Sequence, residues 1–229
     1  MKLALEAPTK LLTVAQPLSN IDSISADRLS EDAEYAKLYL NSDNKAKFLA
    51  ISEPTEELGQ LFKEVKATAV IAPAEHYAEV ANLIGTERTM VILEGTNPQD
   101  ILSSLPMYGE SPLAIPYNVL ATEEDNTYIM SLRRALLIAS IPSHFYVHLL
   151  GFADLDEFAW YESRPNIGSL ATGVPLLLGL QERSIADYVP DKSTPTLEQA
   201  ESLIEKGKLS DATLSIIYIN VALLRKHIS

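Results

Sequence analysis

The sequence contains no cysteine, which excludes disulfide bonds, thiolate metal sites and a cysteine nucleophile. Long hydrophobic runs are also missing. The longest apolar stretches, such as residues 135–141 and 174–180, are far shorter than the roughly 20 residues that a membrane-spanning helix needs. The N-terminal segment lacks the apolar core of a signal peptide because Glu6 and Pro8 interrupt it. We therefore expect a cytoplasmic protein that does not associate with membranes.

Positive charge is scarce in this chain. It has 18 Lys and Arg residues against 31 Asp and Glu residues, which gives a formal net charge of −13. A field of this sign repels nucleic acid phosphates, and the basic residues form no stripe with interleaved aromatics. We therefore expect no nucleic acid partner, and we interpret the acidity as a property of a soluble surface.

Sequence motifs of several enzyme classes are absent as well. The chain has no Gly-x-Ser-x-Gly elbow, no His-Glu-x-x-His metal motif, no Walker loop and no dinucleotide-binding glycine triplet. These absences argue against a serine nucleophile, and we expect neither a metal ion nor a cofactor.

Short apolar runs alternate with amphipathic stretches along most of the chain. Several runs are almost continuously apolar, which is typical of strands that are covered on both faces in a parallel sheet. The predicted strands span residues 11–16, 47–52, 68–73, 89–94, 113–119, 144–150 and 166–171. An eighth strand is expected at either residues 2–6 or residues 176–180.

Helical patterns lie between these strands, at residues 30–40, 55–65, 75–84, 97–105, 126–140 and 154–162. In the segment 126–140, the spacing of Leu132, Leu136 and Ala139 predicts the buried face, with Arg133 and Arg134 opposite. The alternation predicts an α/β fold, either a doubly wound sheet or a closed barrel. We favour a TIM-like (β/α) barrel with seven or eight parallel strands.

The C-terminal part has a different pattern. Residues 196–206 predict a helix capped by Thr196, and residues 210–227 predict a long, strongly apolar helix. We expect residues 1–185 to form the barrel and residues 186–229 to form a helical extension packed on the same domain. The apolar face of residues 216–224, which includes Ile216 and Leu224, is expected to cover the barrel or to contact a protein partner or a second copy of the chain.

Candidate catalytic residues come from the carboxyl ends of the strands, where barrel enzymes carry their chemistry. Glu53, Glu94 and His148 lie near predicted strand ends and have the side chains that acid–base catalysis uses. The alternative is that the glutamates cap helices or face solvent, and that the histidine is a core residue with a satisfied hydrogen bond.

Other polar and small residues at the same strand ends are candidates for substrate binding. Residues 168–173 lie where many barrels bind phosphate, and their backbone N–H groups would cradle an anion there. A tight turn with close packing is the alternative for this segment. The candidate substrate-binding residues are Ser52, His76, Tyr117, Asn118, Gly168, Ser169 and Thr172.

Several segments in order resemble bacteriophage proteins related to tRNA-guanine transglycosylase. The resemblance covers roughly residues 1–180, and its segments are EDAEYAKLY (31–39), FLAISEPTEELG (48–59), VIAP (70–73), LAIPYN (113–118), RRALLIASIPSHFYVHLLGF (133–152) and NIGSLATGVPLLLGL (166–180). It implies a TIM barrel in which one aspartate follows an early strand. A second aspartate, the nucleophile in base exchange, ends a late strand in that family.

This chain departs from the family at both aspartates. Ser52 followed by Glu53 stands at the first position, and Gly168 followed by Ser169 stands near the second. Base exchange needs one carboxylate to attack the anomeric carbon and another to move a proton, and serine and glycine supply neither. The cysteine-based zinc site of the tRNA enzymes is also excluded here.

Three functions are compatible with these observations. The first is a degenerate transglycosylase-like barrel that has lost base exchange and binds a protein partner, in the host cytoplasm if a phage encodes it. The second is an enzyme that acts on a purine base, nucleoside or glycosidic bond with Glu53, Glu94 and His148. The third is an unrelated barrel enzyme that holds a phosphorylated substrate at residues 168–173. We rank them in this order.

Overall fold

The computed structural model describes residues 1–188, 190, 196–207 and 209–229. Within these residues, eight parallel strands form one nearly closed barrel surrounded by helices, which confirms the predicted α/β TIM-like barrel. The strands are β1 (Lys2–Leu5), β2 (Asp22–Ser25), β3 (Lys47–Ala50), β4 (Ala69–Pro73), β5 (Thr89–Ile92), β6 (Leu113–Pro116), β7 (Val147–Leu150) and β8 (Ile167–Thr172).

The barrel is closed most weakly between its first two strands. The hydrogen-bonded order runs β1-β8-β7-β6-β5-β4-β3-β2, and the parallel bridge between Ala4 and Ile21 joins the two ends of this order. Beside that bridge, the side-chain oxygen of Asn20 accepts a hydrogen bond from the backbone N–H of Leu3 at 3.2 Å. We call this joint the seam. It has less backbone pairing than the other joints of the barrel.

Helices surround the strands and cover the outer face of the barrel. No helix among the described residues is long and apolar enough to span a bilayer. The α-helices are α1 (Leu12–Ala15), α2 (Ala26–Glu31), α3 (Ala33–Leu40), α4 (Leu58–Glu64), α5 (Tyr77–Ile84), α6 (Pro98–Ser104), α7 (Thr127–Ser140), α8 (Val174–Leu180), α9 (Leu197–Glu205) and α10 (Asp211–Ile228).

The C-terminal helices pack on the barrel domain. Thr196 caps α9 as predicted, in a reciprocal capping box with Gln199. A Cβ atom on Gly179 of α8 would lie 3.1 Å from the backbone of Ile217, so glycine permits the close approach of α8 and α10. Parts of the predicted extension, at residues 189, 191–195 and 208, lie outside the described residues.

One strand prediction was wrong, one strand was missed, and one alternative was resolved. Residues 11–16 are helical, because Leu11, Leu12 and Ala15 recur at helical spacing and are all buried. The second strand is instead β2, whose sequence Asp-Ser-Ile-Ser is too polar to be recognised as a strand. The eighth strand is β1, within residues 2–6, whereas residues 176–180 belong to helix α8.

Two helix predictions also need correction. Residues 30–40 form parts of two helices, because Asp32 is extended and caps α3 by accepting hydrogen bonds from the N–H groups of Glu34 and Tyr35, each at 3.0 Å.

In α7 the predicted buried face is wrong. Arg134 is fully buried, together with Leu137 and Ile138, while the side chain of Leu136 is 60% exposed.

A buried ion pair explains the inverted face of α7. The Arg134 guanidinium donates to the Glu157 carboxylate in the 3-10 helix Leu155–Tyr161, and both side chains are fully buried. Arg134 also donates to the backbone carbonyl of Gly151 at 2.9 Å, just after β7. The pair therefore ties α7 and the 3-10 helix to the carboxyl end of the barrel.

The interior of the barrel is a packed core and not an open pore. Half of its interior cluster consists of alanines, so the larger side chains of Phe48 on β3 and Met90 on β5 fit between them. The buried interior cluster comprises Ala4, Ile21, Phe48, Ala69, Ile71, Met90, Ala114 and Ala171.

Glu157→Ala leaves the Arg134 charge buried without its partner, so we expect a loss of about 3–5 kcal/mol in the free energy of unfolding. Urea denaturation at pH 7 measures this loss. The control is Glu87→Ala, which removes an exposed pair with Arg88 at 3.5 Å and is expected to cost less than about 1 kcal/mol. Equal losses in the two variants would contradict the role of the buried pair.

Candidate functional site

An open cavity occupies the carboxyl end of the barrel, and we call it the mouth. Its volume is about 350 Å³. Most of its lining residues are the last residue of a strand or the next one, so the parallel fold itself gathers them. The mouth is lined by Glu6, Ser23, Ala50, Ile71, Ile92, Pro116, Tyr117, Asn118, Leu150 and Gly151.

Glu6 is the acidic group of the mouth. It follows β1 directly, and its backbone N–H continues the ladder to β8 by donating to the carbonyl of Thr172 at 3.1 Å. One side-chain oxygen accepts a hydrogen bond from the hydroxyl of Ser23 at 3.5 Å, across the seam. Burial raises the pKa of the Glu6 carboxyl, and the Ser23 hydroxyl opposes this shift in part. Glu6 forms no salt bridge with any described residue.

A smaller cavity of about 170 Å³ lies beside the mouth, and we call it the seam cavity. It shares Glu6 and Ser23 with the mouth. Arg28 also lines it, with its guanidinium 4.2 Å from the centre of the Tyr35 ring and 3.0 Å from the carboxylate of Glu201. The charge of Arg28 is therefore already paired within the chain.

One wall of the mouth is built by a close contact between a ring and a glycine. Gly151 has φ +69°, and a Cβ atom at this position would lie 2.9 Å from Cδ1 of Tyr117. The carbonyl of Gly151 is held by Arg134, and the backbone N–H of Tyr117 donates to Leu150 at 2.8 Å. The predicted binding residues Tyr117 and Asn118 thus both face the mouth.

Ser52 and Glu53 lie outside the mouth. Glu53 is exposed and lines a separate cavity of about 290 Å³ between α2 and α4, together with Asp27 and Glu57. The hydroxyl of Ser52 donates to the carboxylate of Asp27 at 3.0 Å. We call this the acidic cavity. No group of His, Asp and Glu residues in the described part of the chain is arranged to hold a metal ion.

The other predicted catalytic and binding residues are dispersed. Glu94 is exposed after β5 and does not line the mouth. His76 is half-buried at the end of a 3-10 turn, with its Nε2 atom 3.7 Å from the carboxylate of Glu75. The structure therefore does not bring Glu53, Glu94 and His148 together: no cavity described above is lined by more than one of them.

His148 lies in the barrel interior, two residues before Leu150 of the mouth on β7. It is fully buried, its ring meets Phe48 edge-on at 5.1 Å, and its Nδ1 atom is 2.7 Å from the hydroxyl of Ser169. Tyr146 contacts the same hydroxyl at 2.7 Å. Burial lowers the pKa of His148 to about 3, so the imidazole is neutral near pH 7.

Residues 168–173 do not form an anion cradle. Residues 168–172 belong to β8, where their backbone groups pair with β1 and β7. The ring of Tyr146 occupies the space that a side chain on Gly168 would need. The hydroxyl of Thr172 accepts a hydrogen bond from the N–H of Val174 at 3.2 Å. The alternative of close packing therefore describes this segment, because strand pairing already uses the backbone of residues 168–172.

The sequence interpretation missed Glu6 and Ser23. Residues at the carboxyl ends of predicted strands are the site candidates, and Glu6 ends the alternative strand at residues 2–6. Glu6 was thus accessible to the same rule. Ser23 was not, because β2 has no apolar run.

The sequence matches no protein-family model, and no curated protein is significantly similar to it. The resemblance to transglycosylase-like phage proteins therefore stays a prediction. The chemistry of this chain has to be argued from the mouth.

The buried imidazole of His148 predicts a specific loss of stability in acid. The unfolded chain binds this proton as the pH falls below about 6.5, whereas the folded chain resists protonation down to about pH 3. The wild type should therefore lose about 1.4 kcal/mol more per pH unit below pH 6 than His148→Gln does. Urea unfolding between pH 7 and pH 4 measures both slopes.

The control for this comparison is His144→Gln, which replaces an exposed histidine just before β7. It should leave the pH dependence of stability unchanged. A wild-type slope that matches the slope of His148→Gln would show that the imidazole is not held neutral.

Proposed function

We propose that this chain is an enzyme that binds a small molecule in the mouth and uses Glu6 to transfer a proton. The observation that carries this proposal is the position of Glu6, a desolvated carboxyl without a cationic partner among the described residues, at the carboxyl end of a parallel barrel. Perturbed acids in such a position are frequent in catalytic sites.

The shape and lining of the mouth support a small ligand. Its volume of about 350 Å³ falls at the lower end of the range for small-molecule sites. Apolar side chains form much of its floor, and a few polar groups converge on it, namely Glu6, Ser23, Tyr117 and Asn118. This division of labour is typical of binding sites, where apolar surface supplies affinity and polar groups fix the orientation.

The environment of Glu6 suits proton transfer. Because burial raises the pKa of the Glu6 carboxyl, its protonated form persists to higher pH, as a general acid requires, and its ionised form is a stronger base. The Ser23 hydroxyl holds one oxygen, so the other oxygen remains for the substrate.

Among the described lining residues, Glu6 is the one carboxylate of the mouth. Base exchange through a covalent intermediate uses two carboxylates, so this lining favours a single proton transfer and agrees with lost base-exchange activity. A purine base or nucleoside stays among the proposed substrates. Glu6 then takes the role first predicted for Glu53, Glu94 and His148.

A ligand screen with purine bases, nucleosides and sugar phosphates tests this proposal. A purine or nucleoside that binds the mouth at 100 times its dissociation constant should stabilise the wild type by about 2.7 kcal/mol in thermal unfolding. Sugar phosphates should not, because the lining described above contains no basic residue. Turnover of a binding compound should fall by about 10²–10⁴-fold in Glu6→Gln, which removes the transferable proton.

Two controls accompany this screen. Glu53→Gln alters the acidic cavity and should leave binding and turnover unchanged. Glu6→Gln should fold at least as stably as the wild type near pH 7, because a carboxyl with a raised pKa costs stability as the pH rises. Full turnover by Glu6→Gln, or binding by none of the purines and nucleosides, would refute the proposal.

We also propose a protein contact through the exposed side of α10. Ile217, Val221 and Leu224 of the predicted apolar face are buried inside the chain and are not available to a partner. Tyr218 and Ile219 remain 50% and 56% exposed, as two adjacent large apolar side chains. Such a pair favours a further contact, and we propose a second copy of this chain as the partner.

A lysine in the exposed part of this face should prevent self-association. In size-exclusion chromatography with light scattering at high micromolar concentration, we expect the wild type to dimerise and Ile219→Lys to be monomeric. Leu83→Lys, which changes a 47% exposed leucine on α5, is the control and should remain dimeric. A monomeric wild type would end this second proposal.

A further inference from the structure

We infer that the mouth prefers ligands that carry a cationic nitrogen, of the amine or amidinium class, over neutral and anionic ones, because this nitrogen pairs with the carboxylate of Glu6. This inference rests on the proposed function, because it concerns the same cavity. It goes further by assigning the charge and chemical class of the group that enters it.

The first argument is the missing partner of Glu6. Charged side chains that are withdrawn from water are normally paired, because removing an ion from water costs several kcal/mol or more. Glu6 is half-buried, so it bears part of this cost. Within the described residues, Glu6 has the hydroxyl of Ser23 as its hydrogen-bond donor, at 3.5 Å, and has no salt bridge. A long hydrogen bond from a neutral hydroxyl does not neutralise a carboxylate, so the site lacks a positive charge.

The second argument is that Arg28 does not supply this charge. Arg28 reaches the seam cavity, but its guanidinium donates to the carbonyl of Ala7 at 3.2 Å and to the hydroxyl of Thr9 at 2.7 Å. It also pairs with Glu201 at 3.0 Å. These contacts hold Arg28 toward the N-terminal segment and α9, so a cation for Glu6 has to come from the ligand.

The third argument is the electrostatic surroundings. The loop after β3, at the same end of the barrel as the mouth, contributes Glu53 and Glu57 to the acidic cavity, where they join Asp27. The whole chain has a net charge of −13. Clefts with acidic surroundings concentrate cations and repel anions, so the field favours a positively charged ligand over a carboxylate or phosphate.

The remaining walls define the body of this ligand. Ile71, Ile92 and Leu150 form apolar surface beside the ring of Tyr117. Aromatic rings attract cations at their faces and stack against planar groups. The lining therefore suits a compact apolar or aromatic body with one cationic nitrogen, and the ligand need not be large because the mouth holds about 350 Å³.

Four compounds of nearly the same shape separate the effect of ligand charge on affinity from the effect of ligand shape. Benzylamine and benzamidine are cationic, benzyl alcohol is neutral, and benzoate is anionic. Each is titrated into the full chain at pH 7.5, and the affinity and location are read from the amide NMR signals of Asn118 and Gly151. We expect both cations to bind at least about tenfold more tightly than benzyl alcohol, and benzoate to bind least, since charge-assisted hydrogen bonds are the stronger ones.

The same titrations with two variants identify the carboxylate that recognises the cation. Glu6→Gln should lose the preference for cations and retain its weak affinity for benzyl alcohol, because the apolar walls are unchanged. Glu53→Gln, a matched loss of one carboxylate outside the mouth, should keep the preference. Circular dichroism and urea unfolding show that both variants are folded.

The outcomes separate this inference from the proposed function. Equal binding of all four compounds at the mouth would overturn the cation inference and leave a small-molecule site. The same holds if the preference persists in Glu6→Gln, which would assign the charge recognition to another group. Binding of none of the compounds at the mouth would overturn the cation inference alone, because the proposed function is decided by the purine and nucleoside screen.

Discussion

The mouth depends on one constraint, which is that all eight strands of the barrel run parallel. It brings the residue after β1 beside residues that end β6 and β7, although more than a hundred positions separate them in the chain. Glu6 and Ser23 face each other because the barrel has to close at the seam, where backbone pairing is weakest. The mouth is therefore a consequence of barrel closure, and the packed interior below it keeps the cavity at one end.

Four titratable groups of this chain, of which Glu6 is only half-buried, meet the cost of desolvation in three different ways. Arg134 and Glu157 neutralise each other and fix the carboxyl end of β7. His148 is held in its neutral form by the apolar interior. Glu6 has no cationic partner among the residues that the structure describes, and it faces an open cavity. Arg134 and Glu157 find their opposite charge within the protein, and a cationic ligand would supply one for Glu6 under the inference above.

Parts of the fold were predictable because local patterns reflect them directly. Strands β3 to β8 appear as apolar runs, and the caps at Asn97, Asn126 and Thr196 lie within one residue of the predicted helix starts. Strand β2 was missed since its pairing with β3, and not its own hydrophobicity, makes it a strand. Arg134 was assigned to the wrong face because a charged side chain indicates solvent unless its distant partner is known.

The sequence by itself determined the fold class, the direction of the strands and the presence of Tyr117 and Asn118 at the functional end, because each follows from local periodicity and strand order. The tertiary structure alone decided that Glu6 is the carboxyl of the mouth, that Glu53 and Glu94 lie outside it, and that His148 is a core residue. Burial and charge pairing depend on contacts between residues far apart in the chain. Such contacts leave no signal in local sequence.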